Sequence, residues 1–315
     1  MHSPRVNRQV KGFMLVFLAG ILWGLIGPLV KVMGALGSSV MLTAFLRMAL
    51  SFAMMLVVVL VFKGPRALKI SRRSLLACIG LGLVGFALLT TAYNTSIMLS
   101  GVTTAVVLLN TAPAFGAVAS VIVFKEKVTL RRGILYTLCV LGCMLVATGG
   151  KMLDTSSIIG VLCGLLSGVC YSLTPVFARL AGDDGDPYTL NLYSFLFASI
   201  ATLPFAHPWT EVELLLDPQM IIAAVLLAAL PSVLAYLLYY RGVELITEIN
   251  LVPVFGTTEL IVGSLLGVAF FGDVINTASG VGMFIVLATI VALGVSERED
   301  VTPAEAGIEA GEAKV

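Results

Sequence analysis

Residues 101–129 read GVTTAVVLLNTAPAFGAVASVIVFKEKVT, and residues 248–276 read EINLVPVFGTTELIVGSLLGVAFFGDVIN. Shifted by 147 positions, Thr111 meets Thr258, Gly116 meets Gly263, Phe124 meets Phe271 and Glu126 meets Asp273. The same shift carries Tyr93 onto Tyr240 and Gly133 onto Gly280. A shift of 148 lays Gly12 on Gly160, Gly20 on Gly168, Trp23 on Tyr171 and Lys31 on Arg179. Two nearly equal shifts over so much of the chain mark an internal duplication, with the one-residue difference taken up in a loop. Each stretch is an apolar run long enough to cross a bilayer, closed by a polar turn.

The composition agrees. Of 315 residues 59% are hydrophobic and 12% charged, with a mean hydropathy of +1.05. A soluble domain carries about 25% charged residues, so this chain has too little polar surface to cover a water-facing exterior. Ten apolar runs are predicted to span: 13–32, 39–62, 74–97, 102–124, 132–149, 157–178, 188–205, 219–240, 248–271 and 275–295. The first follows Arg5, Arg8 and Lys11, but it is too long for a signal peptide and lacks a small-residue cleavage site. The eighth carries Pro231 at its middle. The expected fold is an all-α integral membrane protein of ten helices, built as two inverted five-helix repeats. Because five is odd, the second copy enters the membrane upside down, a recurring transporter design. The expected organisation is a cytoplasmic N-terminus over 1–11, a first repeat over 12–149, a second, inverted repeat over 157–295, and a disordered, acidic cytoplasmic tail over 296–315.

Loop charge sets the orientation. With the N-terminus inside, sixteen of the nineteen lysines and arginines fall on cytoplasmic segments, and Lys31 and Lys151 fall outside. This is a positive-inside pattern. It places both termini in the cytoplasm; the expected location is the plasma membrane. Lys63 to Arg73 could touch anionic headgroups, though fixing topology suffices to explain them. Net charge is +1, with no basic arm for nucleic acid.

Several motifs are set aside. Cys78, Cys139, Cys143, Cys163 and Cys170 lie within apolar runs and read as packing residues. No metal cluster, nucleotide loop or nucleophile–base pair is readable, so no metal, cofactor or enzymatic activity is expected. Gly80, Gly82 and Gly85 spell a G-x-G-x-x-G without the strand it needs. Asn94-Thr95-Ser96 is a formal glycosylation sequon at membrane depth. His2 and His207 lie outside the spans.

The small-residue stretch Gly101–Pro113, with Glu126 thirteen residues past Pro113 and the basic turn around it, resembles the fourth-helix signature of the EamA-like family of the drug/metabolite transporter superfamily. Leu22-Trp23-Gly24, Lys31 and Phe45-Leu46-Arg47 also resemble that family. The likeness covers about residues 12–295 as two copies and implies a secondary transporter of small metabolites. Such families often export amino acids and related solutes, so export by alternating access is the implied direction. The second copy departs: Glu259-Leu260 stands where the family often has Glu-Pro, and its proline is Pro253, about two turns earlier. The alternatives are a non-transporting scaffold or receptor, and an intramembrane enzyme, for which no catalytic constellation appears. Beyond the bilayer, the expected partner is a small-molecule substrate, with proton coupling open and oligomeric state unread.

Charges at membrane depth are costly and normally face the bundle interior. Arg47 reads as a group that attracts an anion or pairs with a carboxylate, and equally as a structural charge. Glu259 reads as an ammonium-binding or proton-coupling group, and otherwise as a neutral, hydrogen-bonded acid. Glu248 reads as a cap, and Lys31 and Arg179 as interfacial anchors. The remaining cavity candidates are Trp23, Tyr93, Asn94, Asn110, Thr111, Tyr171, Tyr240 and Thr258. Tyr236, Tyr239 and Thr257 lie beside them in the sequence. The polar members of this set read equally as packing glue between helices. Pro28, Pro113, Pro175, Pro231 and Pro253 are candidate kinks or hinges, because each removes a helical hydrogen bond. Glycines four apart, Gly20–Gly24, Gly160–Gly164–Gly168 and Gly263–Gly267, read as close-approach seams.

Overall fold

The computed structural model describes residues 4–116, 118, 129–148, 155–181, 186–246 and 258–293; all regular structure among them is helical. Seven helices are long and apolar enough to cross a membrane. They are α1 (Arg8–Ala35), α2 (Val40–Phe62), α3 (Arg72–Ser100), α5 (Leu130–Thr148), α6 (Thr155–Ala181), α7 (Pro187–Ala206) and α8 (Pro218–Val243). Three shorter apolar helices join them: α4 (Val102–Gly116), α9 (Thr258–Phe271) and α10 (Thr277–Leu293). The expected fourth, ninth and tenth spans run past these described helices. Pro253, Glu248, Glu126, Lys151, Thr257 and the tail over 296–315 lie outside the described residues. The expected cytoplasmic segment 1–11 is already helical from Pro4, so the first helix starts earlier than its apolar run.

Helix pairs recur when the two halves are exchanged. α3 packs on α6 and α8 on α1; α4 packs on α6 and α9 on α1; α2 packs against α7, and α4 against α9. At the α5–α10 contact, Cβ atoms built on Gly142 and Gly282 would each press on the other's carbonyl. With no hydrophobic drive between helices in lipid, such close backbone contact is what holds the bundle. The α6 glycines behave in this way. A Cβ on Gly164 would lie 2.6 Å from Leu108 Cδ1 and 2.8 Å from Ser96 Oγ, and Gly160 and Gly168 abut Ser100 and Thr111. Gly80, Gly82 and Gly85 are also packing positions, against Phe177, Phe197 and Thr174.

The prolines do not end their helices. Where a described proline perturbs its helix, the adjustment is local. α1 breaks to a turn at Leu25, three residues before Pro28, where the Leu25 N–H reaches Leu22 at 3.1 Å. α4 breaks at Asn110–Thr111 ahead of Pro113. α6 runs straight through Pro175. α8 widens into a π-helical segment over Ala229–Leu234 around Pro231. α3 contains a second π segment, Leu81–Leu88, with no proline. Shifted by 147, it falls on 228–235. π-helix occupies well under 1% of residues and recurs at functional positions. Two such segments at equivalent places in the halves are therefore unusual.

Gly164→Leu should lower thermal stability in detergent by about 1–3 kcal/mol through overpacking, whereas Gly133→Leu, where a Cβ meets nothing within 4 Å, should be neutral. A thermal-shift assay on the two variants checks this; equal melting temperatures would contradict the seam.

Candidate functional site

At the centre of the bundle α2 carries Arg47 and α9 carries Glu259. Both are buried, 6% and 7% exposed. They interact electrostatically, but no ion pair within 4.0 Å joins them. The direct partner of Arg47 is Ser232, whose Oγ accepts the Nε proton at 2.9 Å. Ser232 lies within the α8 π segment and is fully buried. Pro231 has no N–H and so leaves the Leu227 carbonyl without its helical donor. The Ser232 hydroxyl donates to that carbonyl at 3.4 Å, and its lone pairs remain for Arg47.

A shell of aromatic side chains surrounds the two charges. Tyr93 of α3 and Tyr236 of α8 lie near both Arg47 and Glu259, and Tyr171 of α6 lies near Glu259. Trp23 of α1 packs edge-on to Tyr236 with centroids 5.5 Å apart, and against Tyr239 at 5.4 Å. Tyr171 is 36% exposed, yet its electrostatic neighbours Glu259, Tyr236 and Tyr239 are interior. It is thus an accessible ring close to the charged pair at the bundle interior. Tyr236, Tyr239 and Tyr240 are half-buried around that same interior. The aromatic series continues from Tyr240 to Tyr188, 5.6 Å away. Lys63 Nζ sits 4.7 Å above the Tyr188 ring and pairs with Asp186 at 2.7 Å. A line of rings thus leads from Trp23 to one end of the bundle.

The structure thus groups Trp23, Arg47, Tyr93, Tyr171 and Glu259. Tyr240 stands one ring removed, and Tyr236 holds the place beside Arg47. Asn110 and Thr111 are at the α4 break, where they satisfy their own helix: Asn110 Nδ2 donates to Val106 at 2.8 Å, and Thr111 Oγ1 to Leu108 at 2.6 Å. Cys143 and Cys139 complete that break by donating to the Val107 and Asn110 carbonyls at 3.3 and 3.6 Å. Asn94 is fully buried, with neither side-chain polar atom hydrogen-bonded. Thr258 is buried beside Glu259. Among the described residues, no group of three His, Cys, Asp or Glu side chains could hold a metal.

Comparison with known proteins accords with this architecture. The EamA-like transporter family matches residues 10–148 and again residues 158–295, and the chain belongs to that family, within the drug/metabolite transporter superfamily. It is an integral membrane protein and a membrane transporter. A protein of Archaeoglobus fulgidus (strain ATCC 49558 / DSM 4304 / JCM 9628 / NBRC 100126 / VC-16) described as an uncharacterized transporter is 25% identical over 212 residues, 67% of this chain and 74% of its own. A solved crystal structure shares the fold, with a TM-score of 0.61 and 18% identity over 92% of this chain and 98% of that one.

If Arg47 and Glu259 feel one another across the interior, their removals should not be additive. The Arg47→Ala/Glu259→Ala double variant should lose less stability than the two single losses summed, by about 0.5–3 kcal/mol. A double-mutant cycle on detergent-purified protein measures this, and strict additivity would contradict the coupling.

Proposed function

We propose that the protein is a secondary transporter that exports small amphipathic metabolites, such as amino acids or related solutes, by alternating access across the plasma membrane. The observation that carries this reading is Arg47 and Glu259 in one aromatic-lined interior space without a direct salt bridge. A cation and an acid held apart suit the two ends of a zwitterion, and the rings around them suit its apolar body. A polyanion would need more than one deep cation. The duplicated halves, with packing pairs that exchange between them, support a rocking exchange of inside-open and outside-open forms. In this reading both termini are cytoplasmic, in line with the positive-inside pattern. The lipid bilayer and the solute are the partners.

The cavity set is Trp23, Arg47, Tyr93, Tyr171, Tyr240 and Glu259, together with Tyr236 and Tyr239. Asn110, Thr111 and the buried Asn94 and Thr258 flank it. Glu259 is the proposed coupling group: a lone carboxyl in a dry interior can take up or release a proton as the cavity opens to each side.

Purified protein in proteoliposomes should show saturable exchange of a labelled amino acid or a related metabolite. Arg47→Ala should lose at least tenfold in flux while remaining folded, about the effect of one charge-assisted hydrogen bond. Glu259→Gln should retain exchange but lose its response to a pH gradient. Normal flux in the first variant, or unchanged pH dependence in the second, would overturn the assigned roles.

A further inference from the structure

We propose that Ser232 is a positioning residue that turns Arg47 so that its two terminal nitrogens, and not Nε, receive a planar monocarboxylate of the solute. The proposal rests on the transport reading above and deepens it.

A guanidinium can grip a carboxylate on two edges, one formed by the terminal pair of nitrogens and one that includes Nε. Here the second edge is occupied. Nε donates to Ser232 Oγ at 2.9 Å, in a buried contact between residues 185 positions apart. The hydroxyl proton is also committed, to the Leu227 carbonyl at 3.4 Å, so Ser232 meets Arg47 only as an acceptor. Pro231 fixes this arrangement by freeing the Leu227 carbonyl, and the π segment over Ala229–Leu234 sets Ser232 on the face toward α2. The terminal nitrogens of Arg47 make no hydrogen bond or ion pair with any described residue, and they are not among the fully enclosed polar atoms. They therefore keep some accessible surface, and Tyr93 and Tyr236 are their aromatic neighbours. One guanidinium facing a nearby acid cannot neutralise a dianion, so the ligand class is a monocarboxylate and not a phosphate ester. The neighbouring rings favour an aromatic or otherwise apolar body behind the carboxylate.

The test is chemical protection of Arg47. Purified protein is treated with phenylglyoxal, which attacks guanidinium groups, and Arg47 modification is read by peptide mass spectrometry with benzoate or benzylamine as the probe. In the wild type, Arg47 should be modified, benzoate should protect it, and benzylamine at equal concentration should not. Ser232→Ala should need about tenfold more benzoate for the same protection, as expected for loss of one charged hydrogen bond. Ser232→Thr, which keeps the hydroxyl, should restore the wild-type value. Melting curves on both variants separate loss of fold from loss of positioning, and if Thr does not fit, Ser232→Cys should fall between the other two.

Equal protection in wild type and Ser232→Ala would overturn the proposal, as would protection by benzylamine or an Arg47 inert to phenylglyoxal. Flux without benzoate protection would remove this inference and leave the transport reading standing. Benzoate protection without flux of any solute would remove the transport reading and leave a carboxylate site.

Discussion

In the hydrocarbon region no water is available to a backbone group that loses its helical partner, and each one left bare costs several kcal/mol. The architecture follows from how this chain meets that constraint at its prolines. Thr174 donates to the Tyr171 carbonyl that Pro175 leaves free, at 2.8 Å. Ser232 does the same for Leu227 after Pro231. At the α4 break Asn110, Thr111, Cys143 and Cys139 donate to the Val106, Leu108, Val107 and Asn110 carbonyls. At Pro175 and Pro231 the freed carbonyl is thus met by a hydroxyl of the same helix. The repair at Pro231 also places a buried hydroxyl beside Arg47.

The charged site is built on one of these repairs. A lone arginine at membrane depth is tolerated when it is paired or faces a polar interior. Arg47 achieves this with a neutral serine instead of a carboxylate, which keeps Glu259 out of a closed ion pair. A direct pair would seal both charges, and a buried pair resists separation because removing one partner strands the other. Held apart, both remain available to a third body, and the tyrosines supply a polarisable wall around them. The π segments in α3 and α8 belong to the same design, since each lies where the helices of one half meet those of the other.

Much of the fold could be read before any coordinates. Apolar runs at bilayer length and the 147-residue shift locate the helices and the duplication. Arg47 and Glu259 stand out because charge is rare in such runs. What sequence could not reveal were pairings made across the fold. Ser232 is 185 residues from Arg47, and a serine in an apolar helix gives no signal of its own. It could have been sought as the residue next to a mid-helix proline. The repeat pointed to Tyr240 through Tyr93, whereas the structure puts Tyr236, one turn earlier, beside the arginine. Asn110 and Thr111 looked like cavity groups because they are polar and adjacent to Pro113. Their side chains instead bond the Val106 and Leu108 carbonyls of their own helix, as short polar side chains near a helix break readily do. The cysteines read as packing residues, and two of them also close the α4 backbone.

The central claim is that one interior site opens alternately to the two faces of the membrane. It is tested most directly by placing a single cysteine at Tyr171, with the five native cysteines replaced, and labelling oriented vesicles with a membrane-impermeant maleimide applied to one side at a time. The account predicts labelling from each face, with a transported solute shifting the ratio between faces. Labelling from one face only, unchanged by any solute that the protein binds, would contradict it.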